Sequence, residues 1–119
     1  MNRKTILAVD FDGCIVRHQF PHMGPALHKA QEVINNLYDE GYYIIIWTCR
    51  GGFQLIEAIE FLNNAGINYH KVNENAPFEM IGFKPGPKIY ADVYIDDRNL
   101  QGFPGWEETY RIIHEKYDI

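Results

Sequence analysis

The sequence predicts an α/β fold, a doubly wound parallel sheet in three layers, and three observations carry that expectation. Short apolar runs alternate with helical periodicities along the 119 residues. One run, "IIIW" at 44–47, is apolar without alternation, as suits a parallel strand covered on both faces. The three strongest runs end in the polar residues Asp10, Thr48 and Asp96. Open α/β sheets bind their ligands at the carboxyl ends of the strands, so these three residues should meet at one crevice.

The elements follow in order. Ile6–Asp10 reads as the first strand. Leu27, Ala30, Ile34 and Leu37 then step by helical intervals, and Gly41 stops the pattern. Tyr43–Thr48 is the second strand, and Leu55, Ile59 and Leu62 mark a helix ended by Gly66. Ile67–Val72 is a weaker strand, followed by a Gly/Pro-rich loop from Asn73 to Pro87. Ala91–Asp96 is the last strand, and Trp106, Tyr110, Ile113 and Tyr117 line one face of a final helix. Such alternation implies right-handed βαβ crossovers. No repeat, low-complexity stretch or linker divides residues 1–119, so a single domain is expected.

Composition narrows the function classes. A chain 46% hydrophobic and 23% charged has the balance of an ordered globular protein, which excludes a disordered one. A formal net charge of −5 disfavours nucleic acid and anionic membranes, which attract basic faces. It leaves phosphate-bearing substrates open, because a bound cation reverses the local field. No apolar stretch approaches the ~20 residues that span a bilayer. The opening "MNRKTILAVD" has too short an apolar run for a signal peptide, and Cys14 and Cys49 make no disulfide framework. The expected location is therefore the cytoplasm.

The chemistry concentrates at the strand ends. "DFDG" taken alone can be an ordinary Asp-Gly turn, and "IDD" taken alone a solvated strand end. Together they bring Asp10, Asp12, Asp96 and Asp97 to neighbouring strand ends, with Gly13, Gly51, Gly52 and Arg98 beside them. Four carboxylates so placed repel one another unless a cation sits between them, and hard oxygen ligands with room for water suit Mg²⁺. Asp10, Asp12, Asp96 and Asp97 are the candidate metal ligands.

These stretches also resemble a known family. "VDFDGCIV" is similar to motif I of the haloacid dehalogenase (HAD) superfamily, and "IIIWTCR" to its motif II. Lys88 in "PKIYAD" stands where motif III carries a lysine, and "VYIDDRN" resembles the acidic motif IV. The four motifs occur in order over nearly the whole chain. The resemblance is to small, capless HAD-like hydrolases of bacterial and phage type, and it implies a Rossmann-like core.

That resemblance implies a Mg²⁺-dependent phosphatase acting on phosphate monoesters. Asp10 would be the nucleophile that forms an aspartyl-phosphate, and Asp12 the acid that protonates the leaving alcohol and then activates water. Thr48 and Lys88 would complete the catalytic set by binding and neutralising the phosphoryl group. The phosphate-binding set so implied is Asp12, Gly13, Thr48, Cys49, Arg50 and Lys88. An aspartate two residues after the nucleophile is the mark of phosphatases and phosphotransferases, whereas dehalogenases usually lack it. Lys84 competes with Lys88, and Cys14 stands where a threonine is commonest.

The two usual sites for a cap domain span only eleven residues (Cys14–Gly24) and fifteen (Asn73–Pro87). An open site is therefore expected, with the 73–87 loop as a flap or a mere connection, and a neighbouring subunit as a candidate lid. Phe11, Phe20 and Phe53 are candidates for the entrance or for the core, and the five histidines read as scattered and solvent-facing. The expected partner is a small phosphorylated molecule. The rival expectation is a phospho-acceptor or metal-binding module resembling a response-regulator receiver. Receivers, however, place the acidic pair at the first strand and the phosphorylated aspartate at the third. The third run here leads into "KVNEN", which has no aspartate.

Overall fold

β1 (Ile6–Asp10) and β2 (Tyr43–Trp47) are the two longest strands of a four-stranded sheet that is parallel throughout. The computed structural model describes residues 4–117. With β3 (Lys71–Val72) and β4 (Val93–Ile95), the order across the sheet is β3-β2-β1-β4. Three longer helices follow β1, β2 and β4: α1 (Ala30–Asp39), α2 (Gly52–Asn64) and α4 (Trp106–Tyr117). A single turn, α3 (Phe78–Ile81), lies between β3 and β4.

The alternation along β1 divides the core in two. Leu7 and Val9 join Ile44 and Ile46 of β2 on one face, against Val33, Ile34 and Leu37 of α1, Leu62 of α2 and Ile113 of α4. Ile6 and Ala8 join Tyr43 and Ile45 on the other face, under Ala76, Ile89 and Ala91. β1 and β2 are thus apolar on both sides, which explains their unbroken apolar runs. The second face is covered by the connection that carries the chain from β3 to β4, at opposite edges of the sheet. Met80 and Ile81 of α3 pack there.

The connection expected as plain loop therefore contains a helical turn. Pro77 opens it and Gly82, at φ 79°, closes it with an amide bonded to the Phe78 carbonyl. The third and fourth strands are shorter than expected. The Ile67 amide is used to cap α2 at the Leu62 carbonyl, and the Ala91 amide donates to the Tyr94 hydroxyl. Leu27 lies before α1, its amide bonded to the Ile15 carbonyl. His70 departs from the solvent-facing expectation: it is stacked between Tyr38 and Tyr43, and its Nδ1 accepts the Ile44 amide.

Trp106 connects the last helix to the loop after β1. It is 2% exposed, and its indole Nε1 donates to the Cys14 carbonyl at 2.6 Å. Among the described residues no other hydrogen bond to that carbonyl is seen, and a buried acceptor left alone costs about 1–3 kcal/mol. Trp106→Phe should lower stability by roughly 2–4 kcal/mol, combining the lost donor with lost ring contacts. Urea unfolding should show the loss as a lower midpoint at an unchanged slope.

Candidate functional site

The loop that leaves β1 is tightly folded. The amides of Ile15 and Val16 return to the Phe11 carbonyl, and the Gly13 amide donates to Val16. Gly13 adopts φ +93°, and a Cβ on it would fall 2.1 Å from Asp97 Oδ2. Only glycine satisfies both the backbone angle and the close approach of that carboxylate. The turn thereby seats Asp97 against the end of β1.

Asp10 and Asp97 face each other. Burial is the largest cause that lifts the Asp10 carboxyl, followed by the charge of Asp97 and a shared hydrogen bond with it, and its pKa is pushed up to about 7. A bond from the Phe11 amide works the other way, and Asp12 adds a smaller repulsion. Asp97 Oδ1 is buried and accepts no hydrogen bond from any N–H or O–H group among the described residues. A pair of carboxylates with a buried, unsatisfied oxygen is the environment a divalent cation relieves.

Asp12 is turned away from this pair. Its two oxygens accept Arg50 Nε at 2.7 Å and Nη2 at 2.8 Å, a bidentate pair in which Arg50 is only 3% exposed. Nη2 also donates to the His22 carbonyl at 2.9 Å. The guanidinium carbon lies 5.3 Å from the Phe11 ring centroid and 5.2 Å from that of Phe20, so the cation sits against two phenyl rings. Nη1 is buried with no partner.

Thr48 follows β2, whose Trp47 is in register with Asp10. Its hydroxyl oxygen accepts the Arg50 amide at 3.0 Å, which leaves the O–H free to donate. The Thr48 peptide is clamped by Asn73, whose side chain accepts the Thr48 amide at 2.9 Å and donates to the Thr48 carbonyl at 3.0 Å. Asn73 holds the left-handed angle φ 55°, which asparagine tolerates better than most residues. Sequence reasoning missed Asn73, and its only signal was an asparagine directly after a strand.

Asp10, Asp12, Thr48, Cys49 and Arg50 line one cavity of about 220 Å³, together with His18, Phe20 and Arg98. Gly13 is not among its lining residues and lies against Asp97. Asp96 and Lys88 are placed elsewhere. Asp96 accepts the Arg98 amide at 3.0 Å and lines a separate groove between β4 and α4, so Asp97 is the nearer carboxylate to Asp10. Lys88 is exposed and lines no part of the cavity, with Nζ 4.8 Å from the Tyr94 ring centroid. Lys84 is also exposed and lines no part of the cavity. Among the described residues, no three Asp, Glu, His or Cys side chains converge as a ready metal cage. Of the expected four, Asp12 is held on the Arg50 fork and Asp96 accepts the Arg98 amide, which leaves Asp10 and Asp97 together.

Of the two thiols, Cys14 is buried, and burial followed by the charges of Asp10, Asp97 and Asp96 pushes its pKa far up. It is an inert thiol behind the site, not a group at the rim. Cys49 is exposed in the cavity wall. Phe11 belongs to the core, Phe20 is half exposed at the cavity, and Phe53 is on the surface.

The fold and site define a parallel α/β domain whose polar cluster lies at the carboxyl end of the central strands. No protein-family model and no curated protein matches the chain. Among solved structures, a conserved protein coded by a locus of Bacteroides thetaiotaomicron is 40% identical, with a TM-score of 0.85 over 95% of this chain and 92% of that one. The chain belongs to the same family as that conserved protein.

The Asp10 environment has a measurable signature. Unfolded Asp10 ionises near 3.8, while the folded carboxyl keeps its proton up to about 7. The group's contribution to stability is full below the unfolded value and is lost as pH rises through the folded one. In metal-free buffer, Asp10→Asn should therefore gain stability relative to wild type between pH 4 and pH 8. Millimolar MgCl₂ should close that gap by raising the wild-type melting temperature, with little effect on the variant.

Proposed function

We propose that this protein is a Mg²⁺-dependent phosphatase that hydrolyses phosphate monoesters through a phosphorylated Asp10. The observation that carries this reading is the meeting of Asp10, Asp97 and Thr48 at the carboxyl end of β1 and β2, with Asp12 and Arg50 in the same cavity. The likeness of the four sequence motifs to HAD phosphatases agrees with it. A doubly wound, Rossmann-like layering belongs to the same reading, with the β3–β4 connection as its thin second layer.

Asp10 and Asp97 are the side chains that would hold Mg²⁺, and their crowding and the unsatisfied Asp97 Oδ1 fit a hard cation. Bound there, it would keep Asp10 ionised and offset phosphate charge. Asp10 Oδ attacks phosphorus in line, and the bond from phosphorus to the ester oxygen breaks. The departing oxygen takes a proton from the Asp12 carboxyl. Water then attacks the phosphorus of the acyl phosphate and gives its proton to Asp12, releasing orthophosphate and free Asp10. Thr48 O–H donates to a phosphoryl oxygen throughout. Since both Asp12 oxygens are on the Arg50 fork, one must leave it during each proton transfer. Positioning and charge neutralisation supply most of the acceleration in phosphoryl transfer, and the clamped Thr48 serves the first of these.

The substrate expected is a small phosphorylated molecule reaching an open cavity. A panel of monoesters, assayed for phosphate release with and without Mg²⁺, tests the reading. Turnover should require the metal and fall by at least about 10³-fold in Asp10→Asn, which removes the nucleophile. Turnover that survives Asp10→Asn would overturn the assignment. A stable acyl phosphate on Asp10 without turnover would favour the receiver-like alternative.

A further inference from the structure

Of the three side-chain nitrogens of Arg50, one has no partner among the described residues. Nε and Nη2 hold Asp12, Nη2 also reaches the His22 carbonyl, and the Arg50 amide meets Thr48. Nη1 is buried with no acceptor among the described residues, and Arg50 is a lining residue of the cavity. A guanidinium N–H kept from water and left unpaired is costly, and it persists only where its surroundings hold it. Here they do so twice over, through the Asp12 fork and through the rings of Phe11 and Phe20. The donor is thus fixed in place before any ligand arrives.

The lysine expected to neutralise phosphate does not line the cavity. Lys88 is exposed, and its Nζ lies over the Tyr94 ring, which packs on the Ile6 and Ala8 face of the sheet. Among the residues lining the cavity, Arg50 and Arg98 are the cations, and only Arg50 is buried.

We propose that Arg50 replaces the expected lysine, using Nη1 to bind a phosphoryl oxygen while Nε and Nη2 hold Asp12. One guanidinium then sets the spacing between the phosphate and the group that exchanges protons. A lysine at position 50 cannot do both, because it presents one point charge and no planar fork. Phe20, 50% exposed over the guanidinium, covers the donor and moves aside as the anion enters. The inference deepens the phosphatase reading and rests on it for the identity of the anion.

The test is calorimetric titration of orthophosphate, in buffer with MgCl₂, into wild type, Arg50→Lys and Lys88→Ala, with melting curves to confirm folding. Arg50→Lys should weaken binding by at least about tenfold, as expected for a lost charged hydrogen bond. Lys88→Ala should bind within about twofold of wild type. Should Arg50→Lys fail to fold, the neutral pair Arg50→Gln with Asp12→Asn keeps the two side chains hydrogen-bonded. Removing the Asp12 charge by itself favours an anion, so weaker binding by that pair is attributable to the guanidinium. The proposal is overturned if Lys88→Ala loses binding while the Arg50 variants keep it. It is equally overturned if wild type takes up no orthophosphate at millimolar concentration. Arg50-dependent binding without turnover on the ester panel would support this inference and overturn the phosphatase reading. Turnover that needs Asp10 and is indifferent to Arg50 would do the reverse.

Discussion

Like charge crowded at the end of β1 is the constraint around which this molecule is arranged. Asp10, Asp12 and Asp97 occupy one loop cluster, and a single buried guanidinium stands among them. One cation cannot satisfy three carboxylates. The structure gives Arg50 wholly to Asp12, with two short bonds in a site screened from water, and leaves Asp10 and Asp97 to repel each other. Much of the local architecture follows from holding that division. Gly13 makes room for Asp97, Phe11 and Phe20 enclose the guanidinium, and Trp106 fixes the loop through the Cys14 carbonyl. A buried ion pair of this kind adds little net stability, yet removing one partner leaves the other exposed to the full desolvation cost. Its value is in specifying geometry.

The two faces of the sheet differ in what covers them, and the difference matters for the site. Three helices and a large cluster secure the face of Leu7 and Val9. The opposite face rests on the connection from β3 to β4, with only the short turn α3 in it. That connection begins at Asn73, the residue that clamps the Thr48 peptide, so its entry is pinned at the site. The lightly built part of the fold is therefore anchored at the end where the chemistry is proposed to occur.

The elements were legible in the sequence because they are dictated by burial. Strands apolar on both faces and helices with a single apolar stripe leave periodicities that survive without knowledge of the partner. The convergence of the strand ends that carry Asp10, Thr48 and Asp97 was legible too, since topology brings strand ends together whatever the side chains do. Side-chain direction past a strand end was not legible. Asp96 and Asp97 are adjacent in sequence, and only the path of the loop decides that Asp97 meets Asp10 while Asp96 folds back onto the Arg98 amide. Lys88 was placed by its distance in sequence from β4, a measure that says nothing about where its long side chain ends, which is over the Tyr94 ring. The Arg50 fork and the Asn73 clamp are contacts across 38 and 25 residues, for which the sequence carries no local pattern.

Arg50 Nη1 and Asp97 Oδ1 are the two buried side-chain polar atoms without a partner among the described residues, and they ask for ligands of opposite sign. An unpaired N–H of a guanidinium accepts only an electron-rich atom, and an unpaired carboxylate oxygen only a cation or a donor. A fold optimised for stability alone would have removed both, since each costs about 1–3 kcal/mol. With Asp97 against Asp10 and Arg50 on Asp12, they call for a ligand with a positive centre near Asp10 and Asp97 and an anionic oxygen near Arg50. A divalent cation and a phosphate ester together have that polarity, whereas a metal ion alone or a free anion alone satisfies half of it. On the proposed reading the two are bound cooperatively, each relieving a repulsion that the other's absence leaves in place.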